Sequence, residues 1–115
     1  MAHAHRKGRR FEQQIGKLLL EHDGACPMFE EMTTSTGRIG QQTNLQIDVI
    51  SKNIACECKS RKSLPKWLME PWEQIIERAE KVKKTPLLVL KENRSDPLFV
   101  VTEETLIELL ETLNE

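Results

Sequence analysis

Phe11, Ile15, Leu18 and Leu19 recur at the three- and four-residue spacing of one helix face. They predict a first helix from about Arg9 to His22, closed near Gly24. Glu12 falls one residue past Phe11 and three before Ile15, on the border of that apolar stripe. Trp72, Ile75, Ile76, Ala79 and Val82 mark a second helix, with Pro71 in its first turn. Leu106, Leu109, Leu110 and Leu113 form the inner stripe of a third. Thr102 is its N-cap, and Glu103 and Glu104 complement the dipole in its first turn.

Between the helices the pattern shortens to that of strands. "PMFEEMTT" reads as one strand, followed by the polar loop "STGRIGQQTN". "LQIDVISKNIACECKS", Leu45 to Ser60, then alternates with the period of two expected of β structure. Leu45, Ile47 and Val49 share one face of its first strand, Gln46 and Asp48 the other. In its second strand Ile54, Cys56 and Cys58 share the apolar face, and Ala55, Glu57 and Lys59 the polar one. A two-residue loop at Lys52 and Asn53 pairs Ser51 with Ile54 and sets Asp48 opposite Glu57. "TPLLVLKEN" reads as a short buried strand, "RSDP" as a turn and "LFVVT" as a last strand. The order is α-β-β-β-α-β-β-α, an α/β sheet with helices packed on it. With no repeat, low-complexity tract or linker in 115 residues, one domain spanning residues 1–115 is expected, with residues 1–8 as a flexible basic N-terminus.

Charge adds an asymmetry that the net value of −1 hides. Residues 1–66 hold eleven Lys and Arg against seven Asp and Glu; residues 67–115 hold six against eleven. Basic side chains cluster near Arg6, near Lys62 and near Lys83, although each cluster alone is most simply a solvated surface. No apolar run is long enough to span a bilayer, and the start "MAHAHRKGRRF" is polar and basic, so an intracellular, cytoplasmic protein without a membrane role is expected. Cys56 and Cys58 are too close on one strand face to bridge, and Cys26 precedes a proline, so all three cysteines are read as reduced thiols. A zinc site is the weaker alternative, because no second Cys/His pair follows the C-x-C.

The hairpin carries the candidate chemistry. Two carboxylates facing each other at roughly 5 Å repel by about 3 kcal/mol at an effective dielectric near 20. A divalent cation converts that repulsion into chelation, and Mg²⁺ favours one or two carboxylates with water and phosphate oxygens. Lys59, on the same face as Glu57, is placed to hold or help deprotonate a water and to stabilise developing negative charge. An E-x-K on a strand is by itself most often a surface ion pair worth a few tenths of a kcal/mol. Asp48 opposite and Glu12 at a buried edge shift the balance.

"D-x8-E-C-K" following a helix that bears "RKGRRFEQQIGKLL" resembles the PD-(D/E)XK nuclease superfamily. Within it the chain is most similar to the small Holliday junction resolvases of archaea, their viruses and bacteriophages, over Arg6 to about Thr102. The resemblance implies a restriction-endonuclease-like fold, a central mixed five-stranded sheet flanked by helices. It also implies a Mg²⁺-dependent endonuclease, with Mn²⁺ able to substitute, acting as a homodimer on four-way DNA junctions and leaving a 5′-phosphate and a 3′-hydroxyl. Residue by residue, Asp48 matches the central metal ligand, Glu57 the second ligand, Glu12 the supporting helix-borne acid and Lys59 the catalytic lysine. The backbone carbonyl of Cys58 matches a further metal ligand. Ile47 stands where the superfamily motif has proline, and the loop before Asp48 is longer than in the archaeal enzymes.

Phosphate contacts are expected from Arg6, Lys7, Arg9 and Arg10 at the mouth of such a site and from Arg38 in the glycine-containing loop. Arg61, Lys62 and Lys66 extend the track. Ser35 and Thr36 are candidates for a polar loop residue near the scissile phosphate. Gln74 resembles a glutamine that many superfamily members carry on the helix after the lysine strand. Trp67 and Trp72 need no role beyond core or interface. Two alternatives stay open: a nuclease for other DNA, of repair or restriction type, and a DNA-binding module that has lost catalysis on the same fold.

Overall fold

A computed structural model of the chain describes residues 2–27 and 46–115, with side chains in the first helix from residue 8 onward. The expected strand in "PMFEEMTT" beyond Pro27, and the loop bearing Ser35, Thr36 and Arg38, lie outside the described residues. So do the side chains of Arg6 and Lys7. The chain divides into two compact units, Met1–Ser60 with Leu113–Glu115, and Arg61–Thr112.

In the first unit, helix α1 runs Ala2–Asp23, beginning at Ala2 rather than Arg9. Its stripe packs on strand β1 (Val49–Ile50), with Leu19 and Val49 fully buried. Gly24 ends the helix at φ +85°, a left-handed turn that glycine adopts without a Cβ penalty. Its N–H donates to the Leu20 carbonyl at 3.1 Å, and its own carbonyl accepts the Lys52 N–H at 2.8 Å. Helix end and hairpin loop are thereby tied together. β1 pairs antiparallel with β2 (Ala55–Cys56) in the register Val49↔Cys56 and Ile50↔Ala55. The Ser51 N–H reaches the Ile54 carbonyl at 2.9 Å, leaving Lys52 and Asn53 as the two-residue loop.

Asp23, the last residue of α1, locks this arrangement from within. It is only 3% exposed. Its carboxylate accepts from Ser51 Oγ at 2.5 Å, from the Asn53 N–H and Nδ2 at 2.7 Å each, and from Asn114 Nδ2 at 2.9 Å. Burial alone pushes the Asp23 carboxyl up, but these hydrogen bonds outweigh it and lower the pKa to about 2.

In the second unit, helix α2 spans Lys66–Lys81 and packs on strand β3 (Leu88–Leu90), with Ala79 buried. The helix starts five residues before Pro71, which lies inside it, and Pro65 occupies the N-cap. "KWLME" is made of residues with adequate helix propensity, so the helix extends back to the earlier proline, and Pro71 costs it one backbone bond. β3 pairs antiparallel with β4 (Leu98–Val100) in the register Leu88↔Val100, Val89↔Phe99 and Leu90↔Leu98. Helix α3 spans Glu103–Leu113. The Thr105 N–H donates to Thr102 Oγ1 at 3.1 Å, which makes Thr102 the expected N-cap.

Among the described residues the expected five-stranded mixed sheet is not found: their strands form two two-stranded antiparallel sheets. Each ladder is only two or three residues long. In the first, the Cys58 N–H is taken by the Asp48 side chain, so that donor is lost to strand pairing. Nor is β3 buried as its apolar run suggested, since Val89 and its partner Phe99 are both exposed. The α3 stripe is covered at Leu110 but not at Leu109 or Leu113. An apolar stripe shows which residues prefer burial, not how far another element extends over them.

Candidate active site

Glu12, Asp48, Glu57, Cys58 and Lys59 all belong to the first unit. α1 supplies Glu12, half-buried as its place at the stripe's border suggested. The hairpin supplies the others. The chain enters β1 through Gln46 at φ +53°, an unfavourable value for a non-glycine residue, and bends at Asp48.

The Asp48 N–H donates to the Cys56 carbonyl at 3.0 Å, although Cys56 already pairs with Val49. Two residues opposing one is the count of a β-bulge, a device that re-aims a side chain. Asp48 is therefore not a regular cross-strand partner of Glu57, as unbroken alternation predicted. Its Oδ2 instead accepts the Cys58 N–H at 2.7 Å. The Glu57 carboxylate lies 3.3 Å from Lys59 Nζ, with both side chains about two-thirds exposed. Each acid thus has its own partner, and the repulsion expected between them is offset without a cation.

The Cys58 thiol, next to the amide that Asp48 holds, sits in an acidic setting. Burial, then the neighbouring Cys56 thiol, then the charges of Asp48 and Glu12 push the Cys58 thiol up to about 12. The Cys56 and Cys58 Sγ atoms lie 3.8 Å apart, and all three cysteines are free thiols.

These donors suit a hard cation. Mg²⁺ takes one or two carboxylates and keeps several waters, so Asp48, Glu12 and Glu57 are donors of the right type. Glu57 stands with Lys59, and among the described residues no three His, Cys, Asp or Glu side chains gather closely enough to hold a metal ion. Arg9 and Arg10 are exposed on α1. In the second unit, Arg61 and Lys66 line an open cavity of about 680 Å³ before and at the start of α2. Lys66 Nζ there pairs with Glu70 at 3.5 Å. Lys62 is exposed beside it, and Gln74 is exposed on α2.

The family described as "Phage putative PDDEXK endonuclease" matches residues 3–115. The chain belongs to this family. It is a nuclease of the PD-(D/E)XK kind, and nucleases of that kind typically use divalent metal ions. No curated protein and no solved structure matches the chain. No described helix is long and apolar enough to cross a membrane.

Two features of this PD-(D/E)XK chain escaped the sequence pattern. The Asp48–Cys58 hydrogen bond depends on a bulge that strict alternation hides. The Asp23 cluster joins residues 28, 30 and 91 positions away. Its one local signal is an aspartate just before the glycine that closes α1.

Proposed function

We propose that this PD-(D/E)XK chain is a Mg²⁺-dependent, structure-selective DNA endonuclease that acts as a homodimer and resolves four-way junctions by paired nicks, with Mn²⁺ able to substitute. The observation that carries the reading is the Asp48 carboxylate held by the Cys58 N–H at 2.7 Å, on the same short stretch that bears the Glu57–Lys59 pair.

Asp48 would hold the metal together with Glu57, whose exposed side chain would have to leave its pairing with Lys59 to reach it, with Glu12 and the Cys58 carbonyl in support. When bound, the cation supplies Lewis acidity at a phosphate oxygen and makes a coordinated water more acidic. Lys59 carries a positive charge beside Glu57, where it orients a water for in-line attack and counters negative charge developing on the phosphate. The Cys58 N–H fixes the Asp48 carboxylate in one orientation, so less ordering is left for the moment of binding.

Exposed Arg9 and Arg10 on the same helix as Glu12 supply phosphate contacts near the acids. In the second unit, exposed Arg61, Lys62, Lys66 and Gln74 are proposed as DNA contacts of their own. Arg6, Lys7, Ser35, Thr36 and Arg38 are proposed to contact DNA as well. Two copies related by a two-fold axis match the near-symmetry of a four-way junction, which gives selectivity without sequence readout.

The test is incubation of the purified chain and Mg²⁺ with a labelled immobile four-way junction and with a linear duplex of the same arm sequence. Symmetric nicks in the junction alone support the reading. Equal cutting of both substrates points to a nuclease for other DNA. Tight junction binding without cutting in either Mg²⁺ or Mn²⁺ points to a binding module.

A further inference from the structure

Strand β4 is uncovered on both of its faces. Successive side chains of a strand point to opposite sides, and the neighbours Leu98 and Phe99 are 69% and 61% exposed. Phe99 pairs with Val89, which is exposed as well, so that face of the β3–β4 ladder carries no cover. On the other face Leu88 and Leu90 are half-buried where α2 packs on β3, but the cover is gone at Leu98. Among the described helices and strands only β3 contacts β4, and the ladder has two strands, so the second edge of β4 is open. An open edge is a row of N–H and C=O groups without strand partners, and proteins blunt such edges with charges or proline. Within "LFVV", Leu98 to Val101, there is neither.

We propose that this edge is a dimer surface: β4 pairs antiparallel with β4 of a second copy, joining the two ladders into one four-stranded sheet. A two-fold axis normal to the sheet keeps every side chain on its own face, so only residues of like face can meet. Full overlap of Leu98–Val100 then leaves one register. Phe99 lies opposite the partner's Phe99, and Leu98 lies opposite the partner's Val100. The two phenyl rings thus meet at the axis on the uncovered face, an aromatic cross-strand pair that stabilises the contact.

Charge selects a second copy over any other extended chain. Arg94 stands in the β3–β4 turn, five residues before Phe99, and Glu104 stands in the first turn of α3, five residues after it. The same register carries Arg94 alongside the partner's Glu104, with the partner's Glu103 next to it, and the two-fold axis makes that contact twice. Arg94, Glu103 and Glu104 are all exposed. Among the described residues no ion pair takes up any of the three. The edge is therefore complementary to itself in charge as well as in shape, which fixes the direction and register of pairing. The surface deepens the homodimer reading above and rests on it for the number of copies, while the contact itself needs no DNA.

The test is sedimentation of the full chain without DNA over a range of concentrations. Wild type should form a reversible dimer. Phe99→Lys puts two like charges at the axis and should raise the dissociation constant by about 100-fold or more, with circular dichroism unchanged because the residue is exposed. Arg94→Glu and Glu104→Arg should each weaken the dimer, and the double variant should recover it. Phe99→Cys should link the two copies by a disulfide on mild oxidation, because directly opposed residues stand about 4.5–5.5 Å apart at Cα, within bridging range. Wild type, with its three native cysteines, should form no such link. If Phe99→Lys fails to fold, the charge swap and the disulfide decide the matter. A wild type that stays monomeric overturns this surface and the homodimer together, and leaves the nuclease chemistry to its own cleavage assay. A folded Phe99→Lys that dimerises as tightly as wild type, or a dimer that Phe99→Cys does not link, overturns the surface alone.

Discussion

The Asp48 carboxylate accepts the Cys58 N–H at 2.7 Å, joining the two strands of the hairpin just beyond the end of their ladder. A charged acceptor gives a stronger hydrogen bond than a neutral one. It also turns the acid away from regular opposition to Glu57, toward the Cys58 backbone. An asparagine side chain in its place would keep an acceptor oxygen for this amide and lose only the charge. Asp48→Asn therefore separates chemistry from folding more cleanly than Asp48→Ala.

Glu57 and Lys59 make an exposed ion pair, and pairs of that kind contribute about 0–1 kcal/mol to stability. Glu57→Gln and Lys59→Ala should each leave the denaturation midpoint almost unchanged. Each should slow Mg²⁺-supported nicking by about 100-fold or more. Full activity in both variants would make the pair a surface feature.

Asp23 should matter for stability and not directly for cleavage. Asp23→Ala leaves Ser51, Asn53 and Asn114 without their shared acceptor and should cost about 3 kcal/mol, measured by urea unfolding. The pH dependence follows from its lowered pKa. In the folded chain Asp23 titrates at about 2, against 3.8 for an ordinary aspartate. The unfolded chain therefore takes up the proton first as pH falls. The contribution, about 2 kcal/mol, is complete above pH 4 and is lost as pH falls toward 2. Wild type should show this acid-side loss and Asp23→Ala should lack it, in unfolding curves from about pH 5 to pH 2.

The hairpin was the most legible part of the fold. The two-residue loop at Lys52 and Asn53 sets one register, which the chain adopts at Ile50↔Ala55 and Val49↔Cys56; Val49 is buried as alternation expects, and Ile50, on the opposite face, is buried as well. The cap at Thr102 and the stop at Gly24 were equally readable, because each is local chemistry within a few residues. The bulge at Asp48 was not, since it depends on where a side chain finds a donor ten residues on. The extent of sheet pairing was also hidden. "LLVL" and "LFVV" have the composition of buried strands, but composition does not name the neighbour that covers them, and Val89, Leu98 and Phe99 are exposed. Pro71 misplaced the start of α2 because Pro65, six residues earlier, fits the helix entrance as well.

Lys62 is exposed and unencumbered by the ion pair that Lys66 makes with Glu70. Lys62→Ala should weaken junction binding and reduce the slope of log K against log salt by about one phosphate contact. An unchanged slope, measured by titration at several salt concentrations, would remove Lys62 from the DNA track.

Asp48 is proposed to belong to a metal-dependent nuclease centre, an assignment that stands or falls on the charge of its carboxylate. Its most direct test compares Mg²⁺-supported nicking of a labelled four-way junction by wild type and Asp48→Asn at equal, saturating protein. The expected result is cleavage by wild type that EDTA stops, no cleavage by the variant, and junction affinity within about threefold of wild type because other residues grip the arms. Cleavage by Asp48→Asn at the wild-type rate would contradict the account.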